Sequence, residues 1–103
     1  MKFEFSNEAD ARKLFDFLRD RGIEGGMCVQ DEYWELVYED NFEVLELVAQ
    51  HYDGKAKQIE SEAPPKGTYL TTGKYKIDLY TQAMNEAKFL RNEADIYRAM
   101  IPK

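Results

Sequence analysis

Polar and apolar residues alternate at the start of the chain. Lys2-Phe3-Glu4-Phe5 reads as a short strand with Phe3 and Phe5 on its inner face. The spacing then changes. Ala11, Leu14, Phe15 and Leu18 recur at helical intervals behind a cap at Ser6 or Asn7, and Asp20-Arg21-Gly22 closes that helix with a glycine suited to a left-handed turn. Residues 26–30 and 33–39 return to alternation. Folded about Asp31-Glu32, they set Val29 opposite Trp34 and Met27 opposite Leu36. Those pairs share a face with Tyr38, while Cys28, Gln30, Tyr33, Glu35 and Val37 take the other. A slip of one residue scrambles both faces, so the pattern favours this register. Phe42, Leu45, Val48, Ala49 and Tyr52 form a second helical stripe, capped at Asp40 or Asn41 and expected to stop at Gly54. Lys55 to Glu60 reads as a weaker strand.

The order strand, helix, strand, strand, helix, strand over residues 1–61 is a ferredoxin-like βαββαβ core. It is an α+β fold with a four-stranded antiparallel sheet and two helices on one face. Residues 62–77 read as a linker. Pro64-Pro65 stops regular structure, and Thr72-Gly73 is placed to turn a small hairpin, the alternative being an extended arm. Residues 78–101 form a long C-terminal helix. Tyr80, Ala83, Ala87, Leu90, Ala94, Tyr97 and Ile101 step by three and four without a break, as a heptad seam does. Phe89, Ile96 and Met100 make a second stripe roughly 130° around the helix at 3.6 residues per turn. One helix with two apolar stripes needs two surfaces, so it is expected to pack on the core, on a partner chain, or on both. The seam is the expected self-association surface of a homodimer. All three segments belong to one domain at this length.

Charge adds a second pattern. From Gly22 to Gly54 there are nine acidic residues and no Lys or Arg. Residues 1–21 balance five acids with five bases, and residues 54–103 hold nine bases and six acids. Charge of this kind bears on partners rather than on fold. Helix capping explains part of it, since Glu39, Asp40 and Glu43 surround a helix N-terminus. A run of 33 residues without one base is not explained that way, because ordinary surfaces mix both signs. The net charge of −6 weighs against gripping a phosphate backbone. An aromatic content of 14% weighs against disorder. No run of 18 apolar residues and no leader-like start occurs, so the expectation is a cytoplasmic protein without a membrane span.

Candidate chemistry is sparse. The lone His51 is expected near a helix C-terminus, which favours its charged form, and no nucleophile accompanies it. The single Cys28 excludes an internal disulfide, and its acidic neighbourhood opposes thiolate formation. Asp31, Glu32 and Glu35 are oxygen donors close in sequence, but no glycine-bearing calcium loop surrounds them. Gly22, Gly25 and Gly26 lie between a helix and a strand, the wrong context for cradling phosphate. No cofactor, metal or reaction is therefore expected.

The expected function is non-enzymatic. An acidic face of Asp31, Glu32, Glu35, Glu39, Asp40, Glu43 and Glu46 docks on the basic surface of a protein partner and inhibits or regulates it. In size and charge the chain resembles the small acidic anti-restriction and anti-CRISPR proteins of phages. That resemblance implies an inhibitor occupying a nucleic-acid-binding groove. One alternative is a dimeric ligand-binding or regulatory module, with a cleft lined by Tyr33, Val37 and Tyr75. A second is a nucleic-acid binder using the lysines between Lys55 and Lys76.

Overall fold

A computed structural model describes residues 1–102. In chain order its elements are β1 (Lys2–Phe5), α1 (Glu8–Arg19), β2 (Gly26–Val29), β3 (Trp34–Val37), α2 (Phe42–Glu62), β4 (Tyr69–Thr72), β5 (Tyr75–Asp78) and α3 (Leu79–Ala99). The fold is mixed α/β, with a three-stranded antiparallel sheet in the order β1-β3-β2 and a separate β4–β5 hairpin. No helix among the described residues is long and apolar enough to cross a membrane.

The β2–β3 register is the one the alternation demands. Met27 pairs with Leu36 and Val29 with Trp34, and the Gln30 N–H donates to the Tyr33 carbonyl at 2.9 Å across the loop. On the other edge of β3, Phe3 pairs with Leu36 and Phe5 with Trp34. Phe3, Leu36 and Tyr38 pack against Ala11, Leu14 and Leu18 of α1 and Val44 and Val48 of α2. Each fully buried Leu or Val in this set contributes roughly 1.5–3 kcal/mol. Asn7 caps α1 by accepting from the Asp10 N–H at 2.9 Å. The helix closes as Gly22, with φ +81°, and Ile23 donate back to the carbonyls of Arg19 and Leu18.

One expected element is absent. Lys55–Glu60 is not a fourth strand, because α2 passes through Gly54 and runs on to Glu62. The reason lies in the apolar steps. Leu45, Val48, Tyr52, Ala56 and Ile59 are spaced three, four, four and three apart, so one stripe spans the glycine. A helical glycine costs only about 1 kcal/mol against alanine, less than burial of that stripe returns. The ferredoxin-like order is thus not completed by residues 55–60, and β1 remains an edge strand. The helix stops where Ala63, with ψ 140°, is held extended by the proline that follows it.

The hairpin turns at Gly73, whose φ of +58° suits the first position of a two-residue loop. Asp78 then ends β5 and caps α3, accepting from the Thr81 N–H at 3.0 Å and from its hydroxyl at 2.8 Å. Helix α3 lies antiparallel along α2, since Arg91 pairs with Glu60 while Arg98 pairs with Glu46 and Asp53. Ala87 and Leu90 pack on Ala56, with Tyr52 and Ile59 alongside. Of the seam Tyr80, Ala83, Ala87, Leu90, Ala94, Tyr97 and Ile101, the middle residues Ala87, Leu90 and Ala94 are buried, and Ala87 and Leu90 pack on α2 of their own chain. Its small residues let the helices approach, and α2 offers the long apolar stripe that a helix ending at Gly54 would have lacked. Tyr52 stacks on Tyr97 with ring centroids 5.6 Å apart. The molecule measures 48 × 36 × 22 Å, and its radius of gyration of 16.3 Å exceeds the roughly 13 Å of a compact chain this long.

Candidate protein-interaction site

The acidic residues do not gather on one face. Asp31 and Glu32 occupy the exposed loop between β2 and β3. Glu39 and Asp40 follow the far end of β3, about 23 Å away at 3.3 Å per strand residue. Glu35 lies between them on the outer face of the central strand. It is only 8% exposed, opposite Glu4 and Cys28, with the Lys2 ammonium 3.9 Å away. Other carboxylates are already engaged. Asp40 meets the Met1 ammonium at 3.0 Å. Glu46 and Asp53 both bind the Arg98 guanidinium, with Asp53 at 2.6 Å. This clamp, through hydrogen bonds to Asp53 and then Glu46, raises the Arg98 pKa further above its ordinary value.

The structure does bring Glu24 and Glu39 together. With Gly22, Ile23, Tyr38, Asn41 and Val44 they line a cleft of about 400 Å³ at the end of the sheet. Glu43 is close by in the first turn of α2, its N–H donating to Asn41 Oδ1 at 2.9 Å. Among the described residues, Glu24, Glu39 and Glu43 make no ion pair, and the cleft lining contains no Lys or Arg. The N-terminal dipole of α2 amounts to about half a positive charge, so three carboxylates leave the region negative. Tyr38 forms the inner wall. Its ring fills the space a side chain on Gly25 would need, since a Cβ there would stand 2.5 Å from Tyr38 Cδ1. Its hydroxyl is buried without a hydrogen-bond partner among the described residues, and burial raises its pKa.

Glu24 was not among the residues singled out from the sequence. It belongs to the base-free run, and the register that pairs Met27 with Leu36 and Gly26 with Val37, carried two residues further, sets it opposite Glu39. That extension beyond the strand ends was the signal for it.

A larger groove, about 1000 Å³, crosses α2 between α1 and α3. His51 lies on its floor, 5.0 Å from the Phe17 ring and 5.7 Å from the Tyr52 ring. Because α2 continues for three turns beyond it, His51 is not at a helix C-terminus, and the expected preference for the charged form is reversed. Burial first, then Lys55, Arg21 and Lys13 against Asp10, lower its pKa to about 4. The groove lining contains no Ser, Thr or Cys. Among the described residues no three His, Cys, Asp or Glu side chains converge as a metal site would require. Cys28 is exposed on edge strand β2. Tyr33 precedes β3 and Val37 ends it, while Tyr75 belongs to the β4–β5 hairpin. Lys55 and Lys57 lie on α2; Lys74 and Lys76 belong to the hairpin, with Lys66 just before it.

Searches of protein families, curated proteins and solved structures find no match to the chain.

Proposed function

We propose that the protein acts without catalysis, by binding another protein through the acidic end of its sheet. Glu24, Glu39 and Glu43 receive a basic surface of the partner, and the cleft between them admits one of its Lys or Arg side chains. The carrying observation is the cleft itself, whose two carboxylates pair with no cation among the described residues. A carboxylate pair on one wall offers a guanidinium charge-assisted hydrogen bonds, and the Tyr38 ring offers it an aromatic surface. This narrows the acidic face: Glu35, Asp40 and Glu46 are engaged within the chain, while Asp31 and Glu32 lie outside the cleft. The sharper form of the reading is inhibition of a nucleic-acid-binding enzyme in the manner of acidic phage anti-defence proteins.

The test is capture of partners from the source cell's lysate by tagged protein, washed at low and then high salt. Wild type is expected to hold a specific protein that salt releases, because rim charges are screened over about 10 Å at 0.1 M. The triple variant Glu24→Lys, Glu39→Lys, Glu43→Lys is expected to lose it, with its melting temperature nearly unchanged because exposed substitutions cost within about 0.5 kcal/mol each. Reversal of Asp31 and Glu32 is the control and is expected to leave capture intact. Equal capture by the triple variant would remove the proposal.

A further inference from the structure

The β4–β5 hairpin stands almost clear of its own chain. Every residue from Tyr69 to Ile77 is exposed, and the Leu79 N–H closes the root by donating to the Thr68 carbonyl at 3.0 Å. Thr72 pairs with Tyr75, so Gly73 and Lys74 form the tip. Residues 63–77 carry Lys66, Lys74 and Lys76 and no acid, so the rest of the chain carries −9 against −6 for the whole. None of the three lysines makes an ion pair among the described residues. Lys76 lies over the Tyr69 ring at 4.1 Å and Lys66 over the Tyr80 ring at 5.7 Å, which leaves Lys74 with neither kind of partner among those residues. Beside it, Tyr75 is 75% exposed.

We infer that the tip of this hairpin docks in the Glu24–Glu39 cleft of a second copy of the chain, with the Lys74 ammonium between the two carboxylates. The inference rests on the reading of that cleft as a receiver of basic side chains, and names one ligand that the protein itself supplies. Charge selects the occupant. The cleft carboxylates pair with no cation and the hairpin cations with no carboxylate among the described residues, so each supplies what the other lacks. Tyr38 adds an independent mark of a missing ligand. It lines the cleft, is 4% exposed, and its hydroxyl has no hydrogen-bond partner among the described residues, a state that buried polar groups rarely keep. The surroundings match as well. Phe42, 56% exposed, stands between Asn41 and Glu43, and Tyr75 follows Lys74, so an exposed aromatic ring adjoins the charge on each side of the contact.

The two sites do not meet within one chain. The cleft lies at the N-terminal end of α2, through Asn41 and Val44, and the hairpin follows the C-terminal end. Helix α2 spans roughly 30 Å at 1.5 Å per residue, whereas the hairpin is about 13 Å long at 3.3 Å per residue. Its root is held at the start of α3, on the far side of the Arg91–Glu60 pair from the cleft. Between two copies no other surface has to align, since a projecting tip at one end of an elongated body meets a cleft at the other end of its neighbour. Such a contact joins unlike surfaces, so it repeats from copy to copy unless a ring closes. A foreign basic surface competes with the hairpin for the same carboxylates, and self-association and partner binding therefore exclude each other.

Sedimentation equilibrium at low salt, from micromolar to millimolar concentrations, tests it. Wild type is expected to exceed the 12.1 kDa of one chain increasingly with concentration, and to return toward it in high salt. Lys74→Glu with Lys76→Glu, and separately Glu24→Lys with Glu39→Lys and Glu43→Lys, are each expected to weaken the association at least about tenfold, or 1.4 kcal/mol. Mixing the two variants is expected to restore it, because the lysine-bearing hairpin of one meets the intact cleft of the other, and recovery also shows that both still fold. A wild-type monomer at every concentration overturns the inference, as does an association that mixing fails to restore. So does one that survives reversal of the cleft, which places the hairpin on another surface. The proposed function fails separately. A monomer that still captures a salt-released protein through the cleft removes the self-contact alone, whereas self-association without capture of a foreign protein removes the partner reading alone.

Discussion

His51 illustrates how far one side chain's behaviour depends on what surrounds it. Phe17 and Tyr52 pack against the ring, and Lys55, Arg21 and Lys13 oppose a positive charge on it more than Asp10 favours one. The folded protein therefore takes up this proton only near pH 4, while the unfolded chain takes it up near 6.5. Between those values the unfolded state holds more protons, so acid favours unfolding. The stability due to His51 is full above about pH 6.5 and is lost as the pH falls toward 4. Following the imidazole resonances by NMR is expected to give a midpoint near 4, and urea denaturation to show stability declining across the same window. A midpoint near 6.5 would mean that the ring is solvated. The residue was visible in the sequence as the only histidine. The sign of its shift was not, because it depends on where α2 ends and on which cations α1 contributes.

At the level of elements, local pattern was informative wherever one face of a segment is buried. The register of β2 and β3 followed from alternation because Leu36 and Tyr38 must both enter the core. The bounds of α3 followed from an unbroken apolar seam and from Asp78, a good cap. Gly54 misleads because a glycine often ends a helix, though no proline supports a stop there and the stripe continues to Ile59. In the structure a Cβ at Gly54 would meet nothing within 4 Å. Gly54→Ala is accordingly expected to stabilise the protein by about 0.5–1 kcal/mol, since alanine removes freedom from the unfolded chain without strain in the helix. Thermal denaturation checks this, and a loss of stability would show that the backbone at that point is not helical. The second half of α2 is also what extends the surface that α3 packs on, through Ala56 and Ile59.

For the whole molecule, the sequence made the separation of charge plain but not its use. Which carboxylates are free depends on long-range partners. Arg98 takes up Glu46 and Asp53 from 52 and 45 residues away, and Lys2 lies near Glu35 across the sheet. Those pairings come from tertiary packing, and no local spacing announces them. The result is an elongated body with a free acidic cleft at one end of the sheet and a lysine-bearing hairpin beyond the opposite end of α2, roughly 30 Å of helix away.

Two hydrophobic clusters share that helix, and Tyr52 borders both. This has a bearing on cooperativity. The sheet cluster and the α2–α3 cluster are joined by one continuous backbone and, on the side-chain level, largely by the stack of Tyr52 on Tyr97. Trp34, the only tryptophan, sits in the sheet, so its fluorescence reports one half while far-ultraviolet circular dichroism is dominated by the helices. In wild type the two signals are expected to melt together, as a two-state unit does. Tyr52→Ala, which removes the joint and leaves the helix, is expected to separate them into two transitions. A single shared melting curve in that variant would mean that the backbone of α2 alone is enough to make the two halves one cooperative unit.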